Sequence, residues 1–170
     1  YWGQCAEYCG DSHAVMRFRV IALGPRDYND WLDQQLQPAR SLAPQPADAD
    51  RPRPQFAALR SFRNNEPGIT EKFEVSPLEA WMEKQAPESD EDAELVAQGK
   101  LLFSSKACIT CHTVRGHVGV GVVGPDLTHV GSRSTIGAGL LENNREQLRR
   151  WLRDPGAVKP GNKMAKGYAD

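Results

Sequence analysis

Two clusters of sulfur and imidazole carry the chemistry available to this 170-residue chain. The first is Cys108-Ile109-Thr110-Cys111-His112, a Cys-x-x-Cys-His. Two thiols at this spacing share one turn and can each add to a haem vinyl group. The adjacent imidazole is then held beneath the iron as proximal ligand, which is the signature of c-type haem attachment. A tethered haem takes a second axial ligand from its other side. Met164, at the end of Lys159-Pro160-Gly161-Asn162-Lys163-Met164, is the candidate, and His/Met ligation raises the potential of such a haem. A Cys-x-x-Cys by itself also serves as half a zinc site or as a redox pair. A full zinc site takes four ligands and no second Cys/His pair follows at matching spacing, while a redox pair has no use for His112. His117 and His129 are rival axial ligands by residue type, but both lie in the loop on the proximal side, close behind His112, which counts against them.

The second cluster is Cys5, Cys9, His13 and Met16, at intervals of four, four and three residues. Two thiolates, an imidazole and a thioether form a soft donor set suited to copper, in the ligand vocabulary of copper electron-transfer sites. The alternative is a Cys5–Cys9 disulfide beside an incidental His and Met. The four cysteines thus fall into two close pairs, a pattern of cofactor ligation more than of a disulfide framework.

The elements that position these groups can be read in outline. Residues 16–23 alternate through Phe18, Val20 and Ala22 like a strand, which Gly24-Pro25 ends. Asp27 to Gln37 places Trp31, Leu32 and Leu36 at helical spacing, with Asp27 as candidate N-cap. Residues 38–54 are rich in Pro, Ala, Asp and Arg and read as an extended linker; Phe56–Val75 supports no assignment. A second short helix begins at Ser76-Pro77-Leu78-Glu79, with Leu78, Trp81 and Met82 on one face. Asp30-Trp31-Leu32-Asp33-Gln34-Gln35 and Ala80-Trp81-Met82-Glu83-Lys84-Gln85 echo one another at a spacing of fifty; a local duplication is the alternative to two short helices that each dock on a neighbouring element, which is the expectation. A third helix, Glu91 to Phe103, carries Leu95, Gly99, Leu102 and Phe103 on one stripe and acidic residues in its first turn. Gly116 to Gly124 reads as a flexible glycine- and valine-rich loop. Asn143 to Arg153 is amphipathic, with Asn143 and Glu146 as a capping pair and Leu148, Trp151 and Leu152 facing inward, and Asp154-Pro155 stops it.

Composition removes other classes. There are 21 basic and 22 acidic residues, split 10 and 13 before Asp90 and 11 and 9 from it onward, so no basic patch of the kind nucleic acid demands is present. No run of 18 apolar residues exists to cross a membrane as a helix. Nothing supplies a hydrolase or transferase constellation.

Residues 4–16 closely resemble the binuclear copper (CuA) loop of cytochrome c oxidase subunit II. In that family both Cys bridge the coppers, the His and Met each cap one, and the Glu between the Cys lends its backbone carbonyl. Matched residue by residue, these are Cys5, Cys9, His13, Met16 and Glu7. The Glu7 side chain would face a magnesium at the junction with subunit I. Nitrous-oxide reductase has a related loop with an aromatic residue at the position of Glu7, which makes the oxidase the better match. Residues 90–170 resemble a class I cytochrome c. By that resemblance Gly99 and Phe103 let the first helix cross the last, Pro125 of Gly124-Pro125-Asp126-Leu127 gives a carbonyl to the second nitrogen of His112, Arg133 neutralises a haem propionate, and Trp151 packs near the Met164 sulfur.

A CuA loop followed by a c-type haem domain is the layout of subunit II of the bacterial caa-type oxidases. The resemblance covers residues 1 to about 37 and 90 to 170. It implies a mainly α fold: a class I cytochrome c domain over 90–170, preceded by a cupredoxin (β) remnant over 1–23 and a Pro-rich linker with short helices over 24–89. It implies electron relay in respiration, from a soluble donor such as a cytochrome c through covalent haem c to CuA and on to subunit I, on the outer, periplasmic or extracellular, face of the bacterial membrane. The alternative is a free-standing c-type carrier with an unrelated N-terminal extension. Measured against the family, the chain lacks a further copper-ligating His, most of the cupredoxin barrel, two membrane helices and the C-terminal helix that packs on Gly99 and Phe103. The expectation is a chain truncated at both ends, with an incomplete copper site and exposed apolar surface on the first haem-domain helix.

Overall fold

The computed structural model describes residues 1–40, 76–88, 90–117 and 119–164. The proline-rich stretch from Ser41 to Pro54, the unassigned Phe56–Val75 and the last six residues lie outside them. The chain gathers into two compact units, Tyr1–Leu23 with Arg133–Asp170, and Gly24–Ser132. Among the described residues the architecture is mainly helical, as the sequence implies, with two short strand pairs.

In the first unit, β1 (Trp2–Gln4) runs antiparallel to β2 (Arg17–Arg19), pairing Trp2 with Arg19, Gly3 with Phe18 and Gln4 with Arg17. The strand expected over 16–23 is therefore shorter, and it has a partner that its own alternation did not announce. Backbone bonds extend the pair at both ends, from Val20 N to Tyr1 O at 2.8 Å and from Cys5 N to Met16 O at 3.0 Å. A second hairpin joins β3 (Thr135–Ile136) to β4 (Leu141–Glu142), with Ile136 opposite Leu141. Helix α5 (Arg145–Arg153) follows, and then the single turn α6 (Pro155–Val158). The expected capping pair is shifted by one residue. Asn143 spends its amide on the Arg133 carbonyl at 2.8 Å, and Asn144 Oδ1 accepts from Gln147 N at 2.9 Å, satisfying a helix N–H that would otherwise lack a partner. Asp154 both ends α5 and caps α6, accepting from Ala157 N at 3.0 Å. Leu141 and Pro155 are buried and Trp151 and Leu152 half-buried, whereas Leu148, expected inside, stays largely exposed.

The second unit holds α1 (Pro25–Leu36), α2 (Pro77–Glu83), α3 (Ala93–Ser105) and the one-turn α4 (Cys108–Cys111). Gly24, not Asp27, is the N-cap of α1: Pro25 is pre-set for the first helical position, so the helix starts earlier and Asp27 falls in its first turn, where the dipole favours a carboxylate. Asp92 caps α3 through bonds from Glu94 N and Leu95 N at 2.9 and 3.0 Å. The echoing tryptophans dock on each other: Trp31 of α1 meets Trp81 of α2 edge-on at 6.5 Å, and Trp81 meets His129 at 5.5 Å. Leu78 is buried beside them in sequence, while Leu95, Leu101 and Leu102 leave α3 with the exposed apolar surface expected of it.

Candidate metal centres

The Cys-x-x-Cys-His stretch is a turn of helix pinned from below. Thr110 Oγ1 donates to Ala107 O at 2.6 Å, His112 N donates to Cys108 O at 2.9 Å, and the chain leaves the helix in extended conformation at His112. Both sulfurs are free and half-buried. His112 Nδ1 lies 2.8 Å from Pro125 O. A carbonyl can only accept, so Nδ1 carries the proton and Nε2 presents a lone pair, the tautomer a metal needs. The Gly119–Gly124 segment straps over this turn. A Cβ on Gly124 would stand 2.5 Å from His112 Cε1, and one on Gly121 would stand 2.3 Å from the Cys111 carbonyl carbon. Gly124 N donates to Cys111 O at 2.7 Å and Thr113 Oγ1 to Gly121 O at 2.9 Å. The loop read as flexible is thus a close-fitting clamp, and its glycines serve approach. The same strap holds Val120 and Val122 outward, 90% and 91% exposed, next to the cysteine turn. Two thiols, one oriented imidazole and flanking apolar side chains fit a covalently held haem.

The rival imidazoles are otherwise engaged. His129 Nε2 donates to Gln37 O at 3.0 Å and His117 Nε2 to Arg40 O at 3.3 Å. Between them sits Arg115, which residue reading had passed over. Its guanidinium donates to Leu36 O at 3.4 Å and to Gln35 O, its Nε reaches Thr128 Oγ1 at 3.4 Å, and it pairs with Asp126 at 3.6 Å. The last carbonyls of α1 lack intrahelical partners and lie at the negative end of the dipole, which a cation completes. Burial pushes Asp126 up, but bonds from Thr128 and the charges of Arg115 and His129 outweigh it and hold the carboxyl below its ordinary value.

The other cluster is a single loop closed by β1 and β2. Cys5 Sγ donates to Glu7 O at 3.1 Å and lies 3.4 Å from Cys9 Sγ; Cys9 Sγ lies 3.9 Å from both His13 Nδ1 and Met16 Sδ. The ligand atoms of Cys5, Cys9 and His13 all fall within 4.8 Å of one another. His13 is fixed by the turn His13–Val15, its N–H bonded to Gly10 O at 2.9 Å, and its ring is flanked by Tyr8 at 5.7 Å. The thiols are free, not joined in the disulfide that was the alternative. The hydrogen bond that Cys9 shares with Cys5, desolvation and the Cys5 charge raise the Cys9 thiol, with Lys159 opposing. Two sulfurs this close ionise together only with a cation between them, and with the carbonyl, imidazole and thioether they make a soft donor set that fits copper, short of the further His that the resemblance calls for. Among the described residues this cluster and the His112 turn are separate constructions.

Met164 is half-buried and its N–H donates to Asn162 Oδ1 at 3.0 Å, while Asn162 Nδ2 donates to Pro155 O at 2.7 Å and Lys159 O at 2.6 Å. The Trp151 ring lies against Gly137, 3.2 Å from where a Cβ would be. Arg133 is exposed. Met164, Trp151 and Arg133 belong to the first unit; Cys108, Cys111, His112 and Pro125 belong to the second.

The cytochrome c family model matches residues 96–169. Cytochrome c oxidase subunit 2 of Alkalihalophilus pseudofirmus is 33% identical over 163 residues, 95% of this chain and 32% of the relative. That of Bacillus subtilis is 28% identical over 171 positions, 99% of this chain and 34% of the relative. The chain spans about a third of the length of these curated relatives. Its similarity runs through the Cys5–Met16 loop and the haem-attachment turn alike. The chain is therefore similar, over almost its whole length, to about a third of cytochrome c oxidase subunit 2, and it carries a cytochrome c domain.

Proposed function

We propose that the chain is the electron-entry part of a respiratory cytochrome c oxidase, passing electrons from a soluble donor, such as a cytochrome c, through covalent haem c to a binuclear copper centre and on to subunit I. The observation that carries this reading is the presence in one chain of two prepared donor sets: His112 with Nδ1 bonded to Pro125 O, and Cys5, Cys9, His13 and Met16 converging with the Glu7 carbonyl. Haem and copper, when bound, supply the one-electron chemistry that protein side chains lack.

The roles of the chain's residues follow from that reading. Cys108 and Cys111 would anchor haem as thioethers, His112 and Met164 would hold its iron, Arg133 would meet a propionate and Trp151 would support the Met164 side. Pro125 positions His112 by accepting the Nδ1 proton, which strengthens the ligand at Nε2. Cys5, Cys9, His13 and Met16 would hold copper together with the Glu7 carbonyl, and the exposed Glu7 carboxylate would be free to meet a magnesium towards subunit I. Residues 1–23 form the copper-loop region, 24–89 the connecting segment and 90–170 the haem domain. No helix of the described residues is long and apolar enough to cross a membrane. The relatives supply the membrane context, and thioether attachment and copper loading favour the outer face.

The test is an oxidised and reduced visible spectrum of the protein produced in a host that attaches haem c, together with a Cu(II) titration. The expected result is covalent c-type bands, a weak far-red sulfur–iron band that disappears in Met164→Ala, and a thiolate–copper absorption that disappears in Cys9→Ser. Haem bands with no copper uptake would leave a free-standing carrier. Absence of haem would overturn the reading.

A further inference from the structure

The Cys5–Met16 loop does not stand alone in its unit. Its Ser12 hydroxyl donates to Pro160 O, and the two residues lie 148 positions apart in sequence. Beside that bond, Gly161 adopts φ +76° directly over Asp11: a Cβ there would stand 2.9 Å from Asp11 Cβ and 3.2 Å from its Oδ2. Only a residue without a side chain makes this approach at this backbone angle. A second anchor holds the far end of the loop. Arg17 N donates to Ala138 O at 3.1 Å, Arg19 Nη1 donates to Ser134 Oγ at 3.1 Å, and Gly139 packs on Arg17, with a Cβ position 3.0 Å from Arg17 Cβ.

The turn on which Ser12 rests is the one that leads into Met164. Asn162 ties Lys159 O and Pro155 O to itself and receives the Met164 N–H. A bonded connection thus runs from Met164 through Asn162 to the Lys159–Gly161 turn, across the Ser12 hydroxyl, and into His13 as the next residue. Both anchors join sequence from the two ends of the chain, so neither is a by-product of local folding.

We infer that the Lys159–Gly161 turn is an internal docking seat for the copper-ligand loop, and that Ser12 and Gly161 are positioning residues that hold the His13 side of that loop in fixed relation to the segment carrying Met164. The inference rests on the proposed assignment of these two segments to copper and haem. In consequence, ordering one segment orders the other.

Hydrogen exchange followed by mass spectrometry, on the haem-loaded protein with and without added Cu(II), tests this. In the unaltered protein Cu(II) slows exchange in peptides covering 10–16 and also in those covering 159–164. In Ser12→Ala and Gly161→Val the slowing stays confined to 10–16, and 159–164 exchanges about fivefold faster even before copper is added, the fold-change of one lost hydrogen bond. Ser12→Thr, which keeps the hydroxyl, restores the coupling. The far-red Met164 band shifts on copper addition in the unaltered protein and in Ser12→Thr, but not in Ser12→Ala. An unaltered protein that binds both groups but shows no copper effect on 159–164, or variants that keep the effect, would overturn the inference. A protein that takes up no haem or no copper would instead overturn the assignment beneath it.

Discussion

The two donor clusters solve the same problem, holding soft ligands at fixed separations, by opposite means. The copper-type loop draws its donors from twelve consecutive positions, Cys5 to Met16, closed at the base by two three-residue strands. Its sulfurs and imidazole converge from one local excursion, and Cys9 remains exposed. The haem-type turn takes its cysteines and imidazole from five positions but cannot aim the imidazole itself. Orientation comes from Gly121, Gly124 and Pro125, returning over the turn with backbone close enough to exclude any side chain. A local motif that supplies both ligands and geometry tolerates exposure; a motif that supplies ligands alone must be clamped by distant sequence.

That contrast can be broken most severely at the donors. Cys5→Ser or Cys9→Ser is expected to abolish copper uptake while leaving haem attachment intact, and Cys108→Ser with Cys111→Ser is expected to do the reverse; parallel copper titration and reduced-minus-oxidised spectra check both. Loss of both groups in either variant would mean that the sites are one construction. Next in size is Gly124→Ala. Its methyl group collides with the His112 ring, and overpacking of this kind costs about 1–3 kcal/mol, read as a lower urea midpoint at unchanged slope. The ferric spectrum should change with it, because the ring must turn away from Pro125. No comparable penalty is expected from Tyr8→Ala in the exposed copper loop.

Smaller effects sharpen the clamp. Arg115→Ala removes the cation at the end of α1 and should destabilise by about 1 kcal/mol, since charged hydrogen bonds are stronger than neutral ones but these are partly solvated. Asn144→Ala should cost about 1 kcal/mol as the loss of an N-cap, whereas Asn143→Ala tests only the bond to Arg133 O. The smallest effect is the pH dependence at Asp126. Its folded pKa lies below the unfolded value, so its contribution is present above the ordinary carboxylate range and is lost as pH falls through the folded value. Asp126→Asn should lower stability slightly at neutral pH, converge on the unaltered protein at acid pH, and so flatten the acid limb of a stability–pH curve.

Residue types and spacing carried the donors of both clusters, because ligand chemistry permits few sets and few intervals. They carried the helices too, because amphipathic spacing, Pro at a first turn and Asp before an apolar stretch act locally. The errors fell where neighbours compete. Asp27 and Asn143 were both plausible caps, but Pro25 started α1 earlier and the Arg133 carbonyl claimed Asn143. The glycines at 119, 121 and 124 looked like flexibility, because a glycine needed for close approach and one that loosens a loop are the same residue in sequence. Arg115 carried a signal only in hindsight, as the carbonyls it completes lie some eighty positions upstream.

By itself, then, the sequence determined which atoms could bind metal and on which turns they sit, since those depend on side-chain identity within a few residues. Tertiary structure alone decided how closely Gly121 and Gly124 clamp the His112 turn, which cation closes α1, and what the Ser12 end of the copper loop rests upon. Each of those depends on backbone brought back from far along the chain, and hydrogen bonds and steric exclusion at such contacts leave no period or spacing behind to be read.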